Sequence, residues 1–282
     1  MPIHTTQALV LRTIEYSETS LIVWLYTQEL GRIHVIAKGA RRTRSTFEGA
    51  LEPLVEGELV FYRKKKADTL DIAKEFDPTN YHRGLRRDLP RLYRGVYLAE
   101  LINELGEENA PNPKAWSALT VGLNNLVHAP DNQLDVVLFR AELGLLESAG
   151  LQPSLSQCAA CGAPPAPTYP VSIPGGGVLC EEHARSDPAA RQTSPGAVKT
   201  LAAIVRGDAV QSGPGVNNQI RDLLDPFLRH HLGKALRTTR YLRRRARPVA
   251  RPRVVTGGPG EAPDLALSSD PLPRVHDAAR RR

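Results

Sequence analysis

The sequence predicts an α+β protein in which a small N-terminal barrel of five strands precedes a helical domain with an inserted cysteine-containing element. Residues 8–76 contain five short runs that are rich in β-branched and aromatic residues. Residues 81–150 carry apolar residues at three- and four-residue spacing, which is typical of helices. Residues 151–192 hold all three cysteines. The predicted units are the barrel (1–80), the helical domain (81–247) with its cysteine element (151–192), and a tail (248–282).

Five strands are expected in the N-terminal unit, each bounded by turn-forming residues. They cover residues 8–14, 20–26, 32–37, 58–62 and 70–76. Five strands in about seventy residues favour a small closed barrel of the OB-fold type, whose faces and loops bind oligonucleotides. An SH3-like barrel has a similar number of strands, so the strand count leaves both folds open.

Helical periodicity follows residue 81. One apolar stripe contains Leu85, Leu89, Leu92, Val96, Ala99 and Ile102. Pro90 falls inside this stripe and marks either a break or the start of a helix. Further helices are expected over 116–127 and 136–149, with Gly150 as the C-terminal cap of the latter. Residues 197–247 return to helical spacing and are expected to end as a basic helix.

Charge is distributed unevenly along the chain. The net charge is +7, and residues 201–247 alone carry ten basic and three acidic side chains. A segregated positive charge favours a polyanionic partner. The tail from Pro248 has six prolines and no aromatic residue, and we expect it to be disordered.

Several classes of protein are excluded or disfavoured. Three cysteines do not make a disulfide framework, and the longest strongly apolar run, residues 21–26, is too short to span a membrane. The N-terminus lacks the pattern of a signal peptide, so a cytoplasmic location without membrane contact is expected. Phosphate-binding P-loop, His-Glu-x-x-His and Gly-x-Ser-x-Gly motifs are absent from the sequence. We therefore expect a binding protein rather than an enzyme.

Two pairs of residues have the spacing of metal ligands. Cys158 and Cys161 form a Cys-x-x-Cys pair, and Cys180 and His183 form a second pair eighteen residues later. Zinc prefers four tetrahedral sulfur and imidazole ligands, and four protein ligands leave no open position for catalysis. The sequence therefore predicts one structural Zn²⁺ per chain. A redox-active cysteine pair is the alternative.

Basic residues cluster at four places that could contact nucleic-acid phosphates. The first two clusters lie in barrel loops, and the other two lie in the helical domain. The residues are Lys38, Arg41, Arg42 and Arg44; Lys64, Lys65 and Lys66; Arg83, Arg87, Arg91 and Arg94, which share one face if a helix runs through Pro90; and Arg237, Arg240 and Arg244. Solvated turns and helix faces are the alternative. Among the barrel aromatics Trp24, Tyr26, Phe61 and Tyr62, most are expected in the core and some could stack on bases.

Five segments in this order resemble the bacterial RecO family of recombination mediators. They are KGARR (38–42), FEGALEP (47–53), FRAELGLL (139–146), CAACG (158–162) and FLRHHLGK (227–234). The resemblance spans about residues 5–245 and leaves the tail uncovered. Many members have Cys-x-x-Cys as the second metal pair, whereas this chain has His183 in the last position. Zinc accepts both donors.

The resemblance implies a function that residue spacing alone does not. It implies an N-terminal OB-fold, a helical domain with a zinc element, and binding of single- and double-stranded DNA. It also implies annealing of complementary strands and, together with RecR, loading of a RecA-type recombinase onto DNA coated by single-stranded DNA-binding protein. The sequence thus predicts a non-enzymatic DNA repair and recombination protein at the nucleoid. The alternatives are a zinc-containing RNA-binding or transcription-associated factor and a metallohydrolase that uses the cysteine site.

Overall fold

The computed structural model describes residues 2–47, 49–64 and 70–242. The barrel and the helices belong to one compact unit, Met1–Arg244. The predicted disorder of residues 248–282 concerns a segment outside the described residues.

The N-terminal unit is a closed barrel of five strands, as predicted. The strands are β1 (Ile3–Glu15), β2 (Leu21–Thr27), β3 (Gly31–Ala37), β4 (Glu56–Tyr62) and β5 (Asp71–Asn80). Their order around the barrel is β1-β2-β3-β5-β4, and β1 closes the ring by pairing with β4. The β3–β5 pair is parallel, whereas the other pairs are antiparallel. This order is that of the OB-fold, so the predicted fold class is confirmed.

The long β3–β4 connection closes one end of the barrel. Phe47, Ala50 and Leu51 are buried in the barrel core. A backbone hydrogen bond then joins the connection to β1: the Leu54 amide donates to the Val10 carbonyl at 2.8 Å. The basic part of this connection is therefore held at both ends by packed structure.

The helical domain contains six α-helices among the described residues. They are α1 (Leu89–Leu105), α2 (Pro113–His128), α3 (Leu134–Ser148), α4 (Glu181–Ser186), α5 (Pro195–Val205) and α6 (Pro214–Leu232). Short 3-10 turns lie at Arg83–Arg87 and Thr238–Tyr241, and a small sheet combines β6 (Pro170–Ser172), β7 (Gly177–Val178) and β8 (Arg191–Gln192). Gly150 follows α3 with a φ of 69°, as its predicted role in capping requires. Within the described part of the chain, no helix is long and apolar enough to cross a membrane.

Of the two alternatives for Pro90, the start of a helix is confirmed: Asp88 caps α1, which starts at Leu89, and the residues before it form a separate 3-10 turn. The stripe assumed from Leu85 onward is therefore broken, and Leu89 is exposed. The expectation that residues 197–247 end as a basic helix is wrong. Helix α6 ends at Leu232, because Gly233 adopts a φ of 70°, so the described basic residues beyond it do not continue that helix.

Three groups of buried residues stabilise the unit. One fills the barrel, and one joins α1, α2 and α3 to the outer barrel residues Leu9 and Tyr26. The third combines α3, α5 and α6 with Leu155, Val171 and Val178 of the cysteine element. The cysteine element thus packs on a core that the helices supply.

Candidate metal centre and nucleic-acid interface

The four predicted metal ligands come together. The ligand atoms of Cys158, Cys161, Cys180 and His183 all lie within 4.8 Å of one another. Cys161 Sγ is 3.9 Å from Cys180 Sγ, which is 3.2 Å from His183 Nδ1. This is the only group of three or more candidate ligands in the described residues.

Backbone hydrogen bonds hold the two pairs in place. The Gly162 amide donates to the Cys158 carbonyl at 2.8 Å, and Gly162 has a φ of 75°, so the first pair sits in a tight turn. The Ala159 amide donates to the Val178 carbonyl at 2.8 Å, which ties this turn to strand β7. Cys180 occupies the N-cap position of the six-residue helix α4, which contains His183, and its carbonyl accepts the Ala184 amide at 2.9 Å. The β6–β7 hairpin therefore brings together residues that are distant in sequence.

Local electrostatics favour thiolate ligands at two of the positions. The pKa of Cys180 is lowered, chiefly by the backbone N–H of His183. Burial acts to raise the pKa of Cys158, but the backbone N–H groups of Cys180 and Cys161 outweigh it and lower the pKa. Metal ligation requires the deprotonated sulfur. Three sulfurs and one imidazole within this distance fit a structural site for a tetrahedral metal ion.

The neighbouring carboxylates are not members of this cluster. Glu181 forms an ion pair with Arg185, with 3.2 Å between Oε2 and Nη2. Neither Glu181 nor Glu182 belongs to the group of atoms around the three sulfurs. His183 is therefore the fourth donor that the geometry supplies.

The basic loop of the barrel, residues 38–44, lies at the protein surface. Lys38, Arg41, Arg42 and Arg44 all reach solvent. Arg41 connects this loop to the β1–β2 loop: its amide donates to the Thr19 carbonyl at 3.1 Å. Its guanidinium donates to the Ser17 carbonyl at 3.3 Å and pairs with Glu15 at 3.1 Å.

Tyr16, for which no binding role was predicted, lies beside this loop contact. The side chain of Tyr16 is 62% exposed and belongs to the same β1–β2 loop that Arg41 contacts. An exposed aromatic ring in a turn between two strands was the available signal. Loops at this position contact oligonucleotides in OB-folds, and aromatic rings there stack on bases.

The other barrel candidates divide into core and surface residues. Tyr26 and Phe61 are buried, as expected of most of the aromatics. Trp24 is partly buried, with the Arg12 guanidinium 4.6 Å from the ring centroid. Lys64 is partly exposed, and its amide donates to Asp71 at 2.8 Å. Lys65 and Lys66 lie outside the described residues.

Two of the predicted phosphate contacts are structural instead. Arg91 and Arg94 are buried, although they were expected to share an exposed face with Arg83 and Arg87. Arg91 pairs with Asp88 and Asp131, and Arg94 pairs with Asp135. The start of a new helix at Leu89 turns these two residues inward. Arg83 and Arg87 are exposed and remain candidates for phosphate contacts.

One of the C-terminal cations lies beside an exposed tyrosine. Arg237 and Arg240 are exposed, and the Arg240 guanidinium lies 4.7 Å from the ring centroid of Tyr241. Lys234 pairs with Glu104 at 2.8 Å. Arg244 lies outside the described residues.

Comparison with known proteins identifies the family. The family model described as "Recombination protein O N terminal" matches residues 1–81, and "Recombination protein O C terminal" matches residues 86–240. The chain belongs to the RecO family. A protein named "DNA repair protein RecO" from Anaeromyxobacter sp. (strain K) is 36% identical over 247 residues, which cover 83% of this chain and 93% of the relative.

Relatives with the same name occur in distant bacteria. That of Exiguobacterium sibiricum is 31% identical over 85% of this chain and 96% of its own length. That of Frankia casuarinae is 33% identical over 86% of this chain and 100% of its own length. The resemblance inferred from the sequence is thus confirmed, and membership of the RecO family supports a role in DNA repair and recombination.

Proposed function

We propose that this RecO-family protein binds single- and double-stranded DNA during repair and anneals complementary strands. With RecR, it helps to load a RecA-type recombinase onto DNA that is coated by single-stranded DNA-binding protein. It acts at the nucleoid in the cytoplasm and has no enzymatic turnover. Family membership supports the general role, while the charged surfaces of the chain support the DNA contacts.

The observation that carries the proposal is the exposed basic loop on the closed barrel. Four cations follow β3 within seven residues, and packed or hydrogen-bonded segments hold both ends of the loop. Cations that are already positioned lose less side-chain entropy when they bind phosphates. Phosphate contacts of this kind fix a strand in place without reading its sequence.

Annealing follows from the distribution of charge. Two DNA strands repel each other through their phosphates, and a protein that neutralises part of this charge lowers the barrier to pairing. The barrel loop binds one strand, and the exposed cations Arg83, Arg87, Arg237 and Arg240 bind the other. Phosphate contacts leave the base edges free to pair, so the reaction needs no nucleotide hydrolysis.

The metal has a structural role in this proposal. Zn²⁺ held by Cys158, Cys161, Cys180 and His183 cross-links an element that packs on α3, α5 and α6. The four donors provide closed coordination, which is typical of structural zinc. The metal stabilises the helical domain and does not contact DNA.

Equilibrium binding to labelled oligonucleotides tests the proposal. Affinity for single strands is expected to fall roughly a thousandfold between about 50 and 200 mM salt if about six phosphates are neutralised. Oligonucleotides of different sequence should bind alike, and the protein should accelerate annealing without nucleotide. A flat salt response, a strong preference for RNA, or cleavage of the oligonucleotide would contradict the proposal.

A further inference from the structure

An aromatic stack is exposed where the described chain ends. The rings of Tyr93, in α1, and Tyr241 are stacked with centroids 4.6 Å apart and planes inclined by 11°. Tyr241 is nevertheless 43% exposed. The planar guanidinium of Arg240 lies 4.7 Å from the Tyr241 ring centroid. The stack therefore combines two rings and a cation at the protein surface.

The segment that carries Tyr241 is fixed to α1. Glu100 accepts hydrogen bonds from the backbone amides of Arg237, at 2.7 Å, and Thr238, at 2.9 Å. Leu236 and Leu242, on either side of the 3-10 turn, are buried in the helical core. Because both flanks of the turn are anchored in the core, the fold itself holds the Tyr241 side chain at the surface.

The positive charge of the segment that carries the stack favours an anionic partner. Residues 226–242 contain four lysines and arginines and no acidic residue. The nearby Glu100 and Glu104 are engaged with Thr238 and Lys234 of the same segment. An aromatic ring among cations suits a ligand that is both planar and anionic, which is the chemistry of a single-stranded nucleic acid.

We propose that Tyr241 is a base-stacking residue of a second nucleic-acid site. A base of a bound single strand takes the place of the Arg240 guanidinium on the face of Tyr241 that Tyr93 does not cover, while the flanking phosphates contact Arg240 and Arg237. Glu100 is a positioning residue, because it holds the amides of the turn that presents the ring. This inference rests on the proposed DNA-binding function and assigns a separate residue and a separate type of contact to it.

With this proposal, the protein has two sites of similar chemistry that each bind one nucleic-acid strand. In the barrel, exposed Tyr16 neighbours the loop contacts of Arg41, and in the helical domain, exposed Tyr241 neighbours Arg240. A stacked base is held by its face, which leaves its pairing edge accessible. A strand at the Tyr241 site is therefore presented in a form that can anneal to a strand at the barrel.

The experiment isolates the second site in the full-length chain. Arg41→Glu/Arg42→Glu weakens the barrel site, and Tyr241→Ala or Tyr241→Phe is added to this background. Residual binding of a single-stranded oligonucleotide is measured at low salt, and wild-type protein is photo-crosslinked to an oligonucleotide with 5-iododeoxyuridine. Tyr169→Ala is the matched control, since Tyr169 has Lys199 5.7 Å from its ring centroid but lies in the cysteine element. Melting temperatures establish that each variant is folded.

Stacking predicts a specific pattern. Tyr241→Ala should weaken residual binding about five- to a hundredfold, while Tyr241→Phe and Tyr169→Ala should change it by less than about twofold. Mass spectrometry should find the crosslink at Tyr241. Equal binding by the Ala and Phe variants without a crosslink at Tyr241, or loss of all binding in the Arg41/Arg42 background, would overturn this inference. If the wild-type protein binds and anneals DNA in either of those cases, the proposed function still stands; if the wild-type protein does not bind DNA, both fail.

Discussion

Arg91 is joined to Asp88 at the first turn of α1. Asp88 Oδ1 accepts the Arg91 amide at 2.9 Å, and its other oxygen accepts the Arg91 guanidinium. The same guanidinium donates to the Ala129 carbonyl and pairs with Asp131 at 2.8 Å. Arg91 therefore connects the start of α1 to the α2–α3 turn, which explains why this arginine is buried within a basic stretch of sequence.

Replacing this buried arginine should cost far more stability than replacing an exposed neighbour. Arg91→Ala leaves Asp88 without its guanidinium partner and the Ala129 carbonyl without its side-chain donor, and loss of a donor to a buried acceptor typically lowers the free energy of unfolding by about 1 to 3 kcal/mol. Arg87→Ala, at a largely exposed side chain, should change it by less than about 0.5 kcal/mol. Denaturant unfolding of both variants measures the difference. Equal stability of the two would show that the Arg91 contacts contribute little.

The same pair makes stability depend on pH. Burial acts to raise the pKa of Asp88, but hydrogen bonds from the Arg91 amide and guanidinium outweigh it, so the pKa is lowered. A carboxyl group whose pKa is lower in the folded state stabilises the fold above its unfolded pKa of about 3.9, and this contribution is lost as pH falls through the folded value. The Asp88→Asn variant lacks this pH-dependent stabilisation, because an amide does not ionise in this range. The difference in melting temperature between wild type and Asp88→Asn should thus be largest near neutral pH and shrink below about pH 4. A difference that is constant from pH 7 to pH 3 would contradict this linkage.

Metal analysis should find one tightly bound zinc per chain. Cys158→Ala should remove the metal and destabilise the helical domain, while single-strand affinity changes less. Binding contributes on the order of 10 kcal/mol in small zinc modules, and the loss should be smaller here because the element also packs on the helices. His183→Cys is the matched control, since a fourth thiolate also suits zinc. Freshly purified wild-type protein with substantially less than one equivalent would argue against the site.

The exposed cations after α6 should affect annealing more than the initial binding of one strand. Arg237→Glu/Arg240→Glu reverses two charges at the proposed second-strand surface. We expect a clear loss of annealing rate with little change in single-strand affinity near physiological salt, where screening limits these charges to about 8 Å. Arg185→Glu/Arg206→Glu changes the same number of exposed charges outside the basic clusters and serves as the control. An annealing rate equal to that of the control would remove these residues from the interface.

Local patterns predicted the barrel and the metal site. Alternating apolar residues and turn signals define the strands, and each metal pair is set by a short spacing that the β6–β7 hairpin brings together. The ends of the helices were also partly predictable from the sequence. Gly233 carried the signal that ends α6, although the continued spacing of basic residues suggested a longer helix.

Burial of individual arginines depended on distant partners. Arg94 pairs with Asp135, which is 41 residues away along the chain, and Arg91 pairs with Asp131, which is 40 residues away. No local pattern distinguishes such an arginine from one on a solvated face. The proximity of Tyr16 to Arg41 was equally unpredictable, because it arises only when two barrel loops meet.

The basic barrel loop is proposed as the primary single-strand site. The most direct measurement compares the single-strand affinity of Arg41→Glu/Arg42→Glu with that of Arg237→Glu/Arg240→Glu near physiological salt, with wild type and Arg185→Glu/Arg206→Glu as references. We predict that the loop variant binds at least about tenfold more weakly than the other double variant, because its cations are fixed at both ends by the barrel. Single-strand binding by the loop variant at the wild-type level would show that the barrel loop is not the primary site.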